Sequence, residues 1–211
     1  MDHPLQTRFD RRQLLQGASV VGLGTAAGLG FAAPSAEALS AAVLASACTL
    51  TPSLTSGPFY RDLNLVRKDI TEGQAGMPML MYIRVLDVDG CTPLVGAEVD
   101  IWHNNAAGHY SNFASKGTSG ETWLRGVQFT GADGIASFRT IYPGWYPGRT
   151  THIHAKIYPQ TNYELTTQFY FRDDLTNRIY LLPPYSSHGA KDTTNGQDNL
   201  FRQQTVMGTI V

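Results

Sequence analysis

The chain is short of charge, of cysteine and of helix-forming runs, and each shortage narrows what it can be. Only 16% of its 211 residues are charged, and 16 basic against 17 acidic side chains leave a formal net charge of −1. No basic block offers a footprint for nucleic acid, and no acidic run offers a solvating tail, so no nucleic-acid partner is expected. Beyond the N-terminus there are no long Ala/Leu/Glu/Lys stretches, which argues against a helical bundle. There is no internal repeat. Neither His-Glu-x-x-His nor His-x-x-Glu-His occurs, so a helix-borne zinc site has no signature here. Only two cysteines are present, Cys48 and Cys91.

What the chain does have is glycine (21), proline (11) and tyrosine (10), a composition of short strands joined by turns. Its N-terminus reads as a segment apart. Arg11 and Arg12 precede Leu14, Leu15 and a weakly apolar Gly/Ala-rich run, and Ala36-Glu37-Ala38 supplies small residues for cleavage. Residues 1–38 look like a twin-arginine export signal, leaving 39–211 as the domain and a periplasmic or extracellular destination. The competing reading is an uncleaved anchor, but the run from Ala18 to Ala33 is short for a span and diluted by four glycines. No stable membrane insertion is expected once the signal is removed. In an oxidising compartment the pair Cys48 and Cys91 reads as a disulfide, and closing so long a loop contributes roughly 3–4 kcal/mol when unstrained. Lipid attachment at Cys48 is the rival; Ala45 stands three positions before it, where a branched aliphatic residue would be needed.

From 79 onward the chain alternates. Met79, Met81, Ile83 and Val85 share one face of a strand over 79–88, with Leu80, Tyr82 and Arg84 on the other. Over 94–103, Val95, Ala97, Val99 and Ile101 point inward against Glu98, Asp100 and Trp102. Further strands are expected at 122–130, 135–142, 152–158 and 166–171, separated by the turn signals DVDG, GADG, YPGWYPG and PQTN. Such spacing predicts an all-β fold, an antiparallel β-sandwich, with long coil segments at both ends (48–78 and 172–211).

The stretch PGWYPGRTTHIHAK holds the chemistry. His152 and His154 fall two apart on a strand and therefore share a face, where two imidazoles can reach one metal ion. The pair alone does not choose among zinc, copper, iron and nickel, and it also fits two polar residues on an exposed face. Asp100 is a candidate carboxylate partner but belongs to an outward-alternating run. Tyr146 lies six residues before His152 in a turn that could fold back over the strand, and Tyr110 ends a small-residue loop after Trp102. His103 and His109 flank that loop and are read as rim or surface residues.

With these motifs in place, the chain resembles the intradiol ring-cleaving catechol dioxygenases, most closely the protocatechuate 3,4-dioxygenase β-subunit type. TPSLTSGPFY, VDIWHNNAAGHYS, GADGIASFRTIYPGWYP, THIHAK and TQFYF follow one another as that family's segments do. The resemblance implies a non-haem Fe(III) centre held by Tyr110, Tyr146, His152 and His154. It implies Arg149 as a catalytic, substrate-facing cation, Gln168 as a glutamine that orients either a ligand histidine or the arginine, and Tyr60 at the substrate mouth. Two phenolates, two neutral imidazoles and a hydroxide offset the three charges of a ferric ion, and a phenol of ordinary pKa near ~10 needs such a cation to stay deprotonated. The implied reaction cleaves a catechol between its hydroxylated carbons with O2, giving a cis,cis-muconate, with Tyr146 the ligand that moves. The link 147–151 between Tyr146 and His152 is shorter than in the family, which implies a more open pocket and leaves the substrate undefined. The helical dimerisation domain of the catechol 1,2-dioxygenase branch is read as absent, and the oligomeric state is undefined too. An exported, non-catalytic sandwich binding a small ligand or carbohydrate is the alternative, and a zinc or copper enzyme built on the histidine pair is a third reading.

Overall fold

Alternation along the strands sorts the chain into two sheets whose apolar faces meet. The computed structural model describes residues 49–159 and 163–208. β1 (Pro78–Arg84) pairs antiparallel with β4 (Ile135–Ile141). The larger sheet runs β3 (Arg125–Phe129), β2 (Glu98–Trp102), β5 (His152–Tyr158), β6 (Leu165–Tyr170), all antiparallel. Val99, Ile101, Ile153, Ala155 and Ile157 on the larger sheet bury against Met81, Ile83, Ala136 and Phe138 on the smaller, the interior of a β-sandwich. The chain between β-elements also ties the sheets at one side. Arg67 N–H donates to Val127 O on β3, while Ile70 N–H donates to Arg139 O on β4 and Arg139 N–H to Lys68 O, so one coil segment stitches both edges.

The strand over 152–158 has the expected limits, but that expected over 94–103 is shorter. Residues 95 and 96 form a turn in which Gly96 has φ +72°, and Val95, expected inward, is 57% exposed. Asp100 and Trp102, expected outward, are buried, because the outer face of the larger sheet is covered by the incoming segment. Leu54 N–H donates to Thr166 O, and Gly57 lies over the ring of His154. His103, read as a rim or surface residue, is buried completely. Its Nδ1–H donates to Asn104 O (2.8 Å) and its Nε2 accepts from the Thr140 hydroxyl (2.7 Å), so its polar atoms are satisfied internally. Among the described residues, the C-terminal coil expected over 172–211 contains a short α-helix, α1 (Asp173–Ile179), followed by three single 3-10 turns. Asp173 and Asp174 occupy the first turn of α1 and Arg178 its last, the charge order its dipole favours. No helix among the described residues is long and apolar enough to cross a membrane. Residues 1–48, and with them the expected export signal and Cys48, lie outside the described residues; no described cysteine is free.

Candidate metal centre

The register of the larger sheet builds one wall of the site. Trp102 stands opposite His154, which stands opposite Gln168, and Arg125 stands opposite Trp102. These four residues form a row across the outer face, with His152 two positions along β5. The row is the reverse side of the hydrophobic core. Asp100 sits in the next row, opposite Lys156. Burial raises its carboxyl to about 7, against the opposing hydrogen bond from Tyr60.

His154 stacks on the Trp102 indole, with ring centroids 4.9 Å apart and planes 4° from parallel. His152 is oriented by its backbone: Nδ1 lies 2.6 Å from Thr150 O and must carry the proton to donate to that carbonyl. Its Nε2 therefore presents a bare lone pair, 3.1 Å from Nε2 of His154. Burial first, then the Arg149 charge, pushes His152 down to about 3; burial and His152 push His154 well below the ordinary value. Both imidazoles are thus neutral at physiological pH, the form that binds a cation.

Two loops bring tyrosines to the same place. The loop after β2 is closed on Asn105, whose side-chain oxygen accepts from Ala107 N–H and His109 N–H, each at 3.1 Å. Gly108 takes φ +78° there, and a Cβ on it would meet Trp145 O at 2.0 Å. The two tyrosine-bearing loops thus touch backbone to backbone, which only glycine permits. Tyr110 follows, buried, stacked on Phe59 with centroids 4.4 Å apart. Its hydroxyl has no hydrogen-bond partner in the structure. Burial raises this phenol well above its ordinary pKa, as it also raises Tyr146. From the turn 143–148, the Tyr146 hydroxyl reaches 3.3 Å from His152 Nε2 and 3.4 Å from Arg149 Nη1. The two tyrosine rings lie 5.9 Å apart.

Arg149 is held on two edges. Its Nε–H donates to Asp198 Oδ2 (2.9 Å), and Nη2 donates to Gln168 Oε1; Gln168 Nε2 in turn donates to Thr55 O (2.9 Å). The structure therefore gathers Tyr110, Tyr146, His152, His154, Arg149 and Gln168 about one point. Tyr60 lies one row away, against Trp102 and under the Lys156 ammonium, and Phe59 rather than Tyr60 covers Tyr110. Half-buried His109 remains on the loop. Sequence reasoning missed Phe59, Trp102, Arg125 and Asp198. Phe59 and Trp102 stand inside quoted motifs, so their proximity was a readable signal. Arg125, buried with hydrogen bonds to Phe59 O and Ser111, and Asp198, in a polar tail, had none.

Among the described residues no three His, Cys, Asp or Glu side chains converge, so a cation at the paired imidazoles would have to recruit the tyrosines. The donor set fits one: two imidazole Nε2 atoms 3.1 Å apart and a buried hydroxyl without a partner are the features a metal ion would satisfy together.

Comparison with known proteins agrees with this reading of the fold. The family model described as Dioxygenase matches residues 54–181. Catechol 1,2-dioxygenase 1 of Acinetobacter lwoffii is 31% identical over 165 residues, covering 64% of this chain and 53% of that protein. The 6-chlorohydroxyquinol 1,2-dioxygenase of Cupriavidus pinatubonensis is 34% identical over 124 residues, covering 50% and 44%. The chain thus spans about half the length of these relatives. Among solved structures, an intradiol ring-cleavage dioxygenase from Tetranychus urticae superposes with TM-score 0.72 at 29% identity, covering 76% of this chain and 87% of that one.

Proposed function

We propose, because the chain belongs to the intradiol ring-cleaving dioxygenase family, that it is an iron-dependent dioxygenase. It would open a catechol between its hydroxylated carbons with O2 to give a cis,cis-muconate. The observation that carries the reading is the meeting of two phenols and two neutral imidazoles at one buried point, with the Tyr110 hydroxyl unpartnered and the histidine Nε2 atoms 3.1 Å apart. Tyr110, Tyr146, His152 and His154 would hold a non-haem ferric ion. Bound there, the ion would keep the phenols deprotonated and draw electron density from a catecholate, making the ring reactive towards O2.

The chain's own groups have separable tasks. His152 is held as an acceptor by Thr150 O, and Trp102 backs the plane of His154. Tyr146 Oη takes a catechol proton, converting an anion beside Arg149 into a neutral phenol. Arg149 has five N–H donors; Asp198, Gln168 and Tyr146 engage three, which leaves two for a substrate oxygen as negative charge develops on it. Phe59 and Trp102 exclude water from the tyrosine and histidine sides. The remaining expectations stand as part of the proposal: export by a twin-arginine-type signal, and a bridge between Cys48 and Cys91.

The test is an absorption spectrum with oxygen uptake on a panel of catechols, hydroxyquinols and carboxylated catechols. Iron-loaded protein should be burgundy from tyrosinate-to-iron charge transfer, and Tyr110→Phe should shift that band. A colourless protein, inert after ferric and ferrous reconstitution, would overturn the proposal in favour of a non-catalytic binding module.

A further inference from the structure

We infer that Asp198 is a positioning residue for Arg149, fixing the direction in which the guanidinium presents its free donors; the inference rests on the proposed dioxygenase function. The carboxylate comes from a polar stretch 49 residues further along the chain, yet its side chain is only 1% exposed. A buried carboxylate persists when its charge is paired and its lone pairs are filled. Here both conditions hold: Oδ2 accepts from Arg149 Nε (2.9 Å) and Thr150 N–H (3.0 Å), and Oδ1 accepts from Leu200 N–H (2.8 Å).

The contacts close into a ring. Leu200 O lies 2.7 Å from the Tyr170 hydroxyl, which is also 3.0 Å from Gln168 Oε1, and Gln168 Oε1 accepts from the second edge of Arg149. An arginine held by Gln168 alone could swing about its remaining bonds. Held at Nε as well, its plane is set, and Nη1 is left facing Tyr146. The backbone around it is fixed by the same C-terminal segment. Gly148 N–H donates to Asp192, and the Thr150 hydroxyl is engaged by Asn195 and by Lys191 Nζ. Loss of the Asp198 charge therefore removes aim and charge balance from Arg149 while leaving other ties on its turn.

The decisive comparison is a double-mutant cycle with Asp198→Asn and Arg149→Gln, in iron-loaded protein. Asp198→Asn should lower kcat roughly 10- to 100-fold, the scale of a small misplacement of a reacting group, with KM little changed. The double variant should be no slower than Arg149→Gln alone, because Asp198 acts through the arginine. The tyrosinate charge-transfer band should stay where it is. Unchanged kcat in Asp198→Asn, or losses that multiply in the double variant, would overturn the inference. An independent reading uses metal-free protein: the Arg149 Nε–H resonance should exchange slowly in the parent and rapidly in Asp198→Asn. Equal exchange in both overturns the inference. Slow exchange in a parent inert on every catechol would defeat the proposed function but not the ion pair's role in positioning. Should Asp198→Asn not fold, Asp198→Glu, which keeps the charge but displaces it by one methylene, carries both comparisons.

Discussion

Replacing Gly108 with alanine should damage both stability and catalysis, and the size of the damage can be worked from the structure. The added Cβ would stand 2.0 Å from Trp145 O and 3.2 Å from His188 Nε2, where real Cβ contacts essentially never fall under 3.0 Å. The loops carrying Tyr110 and Tyr146 must therefore part by about 1 Å, a figure that follows from these distances. The residue also sits at φ +78°, which costs a non-glycine residue about 1 kcal/mol. Forcing packed backbone apart adds about 1–3 kcal/mol, so the total is about 2–4 kcal/mol. For a domain of this size that lowers Tm by roughly 5–15 °C. A displacement of this order between catalytic groups costs about 100-fold in turnover. Gly117→Ala is the control: its φ is +68°, but nothing lies within 4 Å of the new Cβ, so only the backbone cost of about 1 kcal/mol remains. Thermal unfolding and oxygen uptake measured on both variants decide the matter. If Gly108→Ala melts and turns over like Gly117→Ala, the close approach of the two loops is not what holds the tyrosines together.

Stability should also fall as the solution is acidified from neutrality. Burial pushes His103 down to about 4, so the unfolded chain, with an ordinary histidine, binds the proton first. The stabilisation is complete above about pH 6.5 and is progressively lost below it; at pH 5 this residue alone accounts for about 2 kcal/mol. Buried His152 and His154 act in the same direction, and the three together outweigh Asp100, whose carboxyl, raised to about 7, binds its proton first in the folded chain and acts the opposite way. Urea titrations at pH 7 and pH 5 measure this, and equal free energies would refute it. Trp102→Ala removes a fully buried indole and should cost about 3–5 kcal/mol in urea. It should also weaken iron binding, since His154 loses the ring on which it stacks; unchanged iron affinity would show that the stack plays no part.

The strand carrying His152 and His154 was legible from end to end, because its alternation runs without a turn residue. The strand before Tyr110 was not, since Val95 and Ala97 keep the alternating pattern through Gly96, where the backbone turns. Alternation also assigns only one apolar face. It cannot show that the chain around Leu54 and Gly57 returns to cover the other, which is why Asp100 and Trp102 were placed outside; His103 lies on the inner face, where Thr140 of the opposite sheet meets it. Helix α1 is two turns long, too short for periodicity, though its acidic start and basic end were visible. Asp198 was beyond reach for a different reason. A carboxylate in a polar tail declares nothing until the distant arginine it meets is known.

In β5 the even-numbered positions 152 and 154 belong to chemistry, and the odd-numbered 153, 155 and 157 belong to the core. Function and folding are interleaved in one reading frame. Gain or loss of a single residue within this strand would exchange the two, driving isoleucine into the tyrosine–histidine cluster and imidazole into the sandwich. Substitutions at even positions can retune reactivity while the interior stays intact, whereas a length change cannot be absorbed.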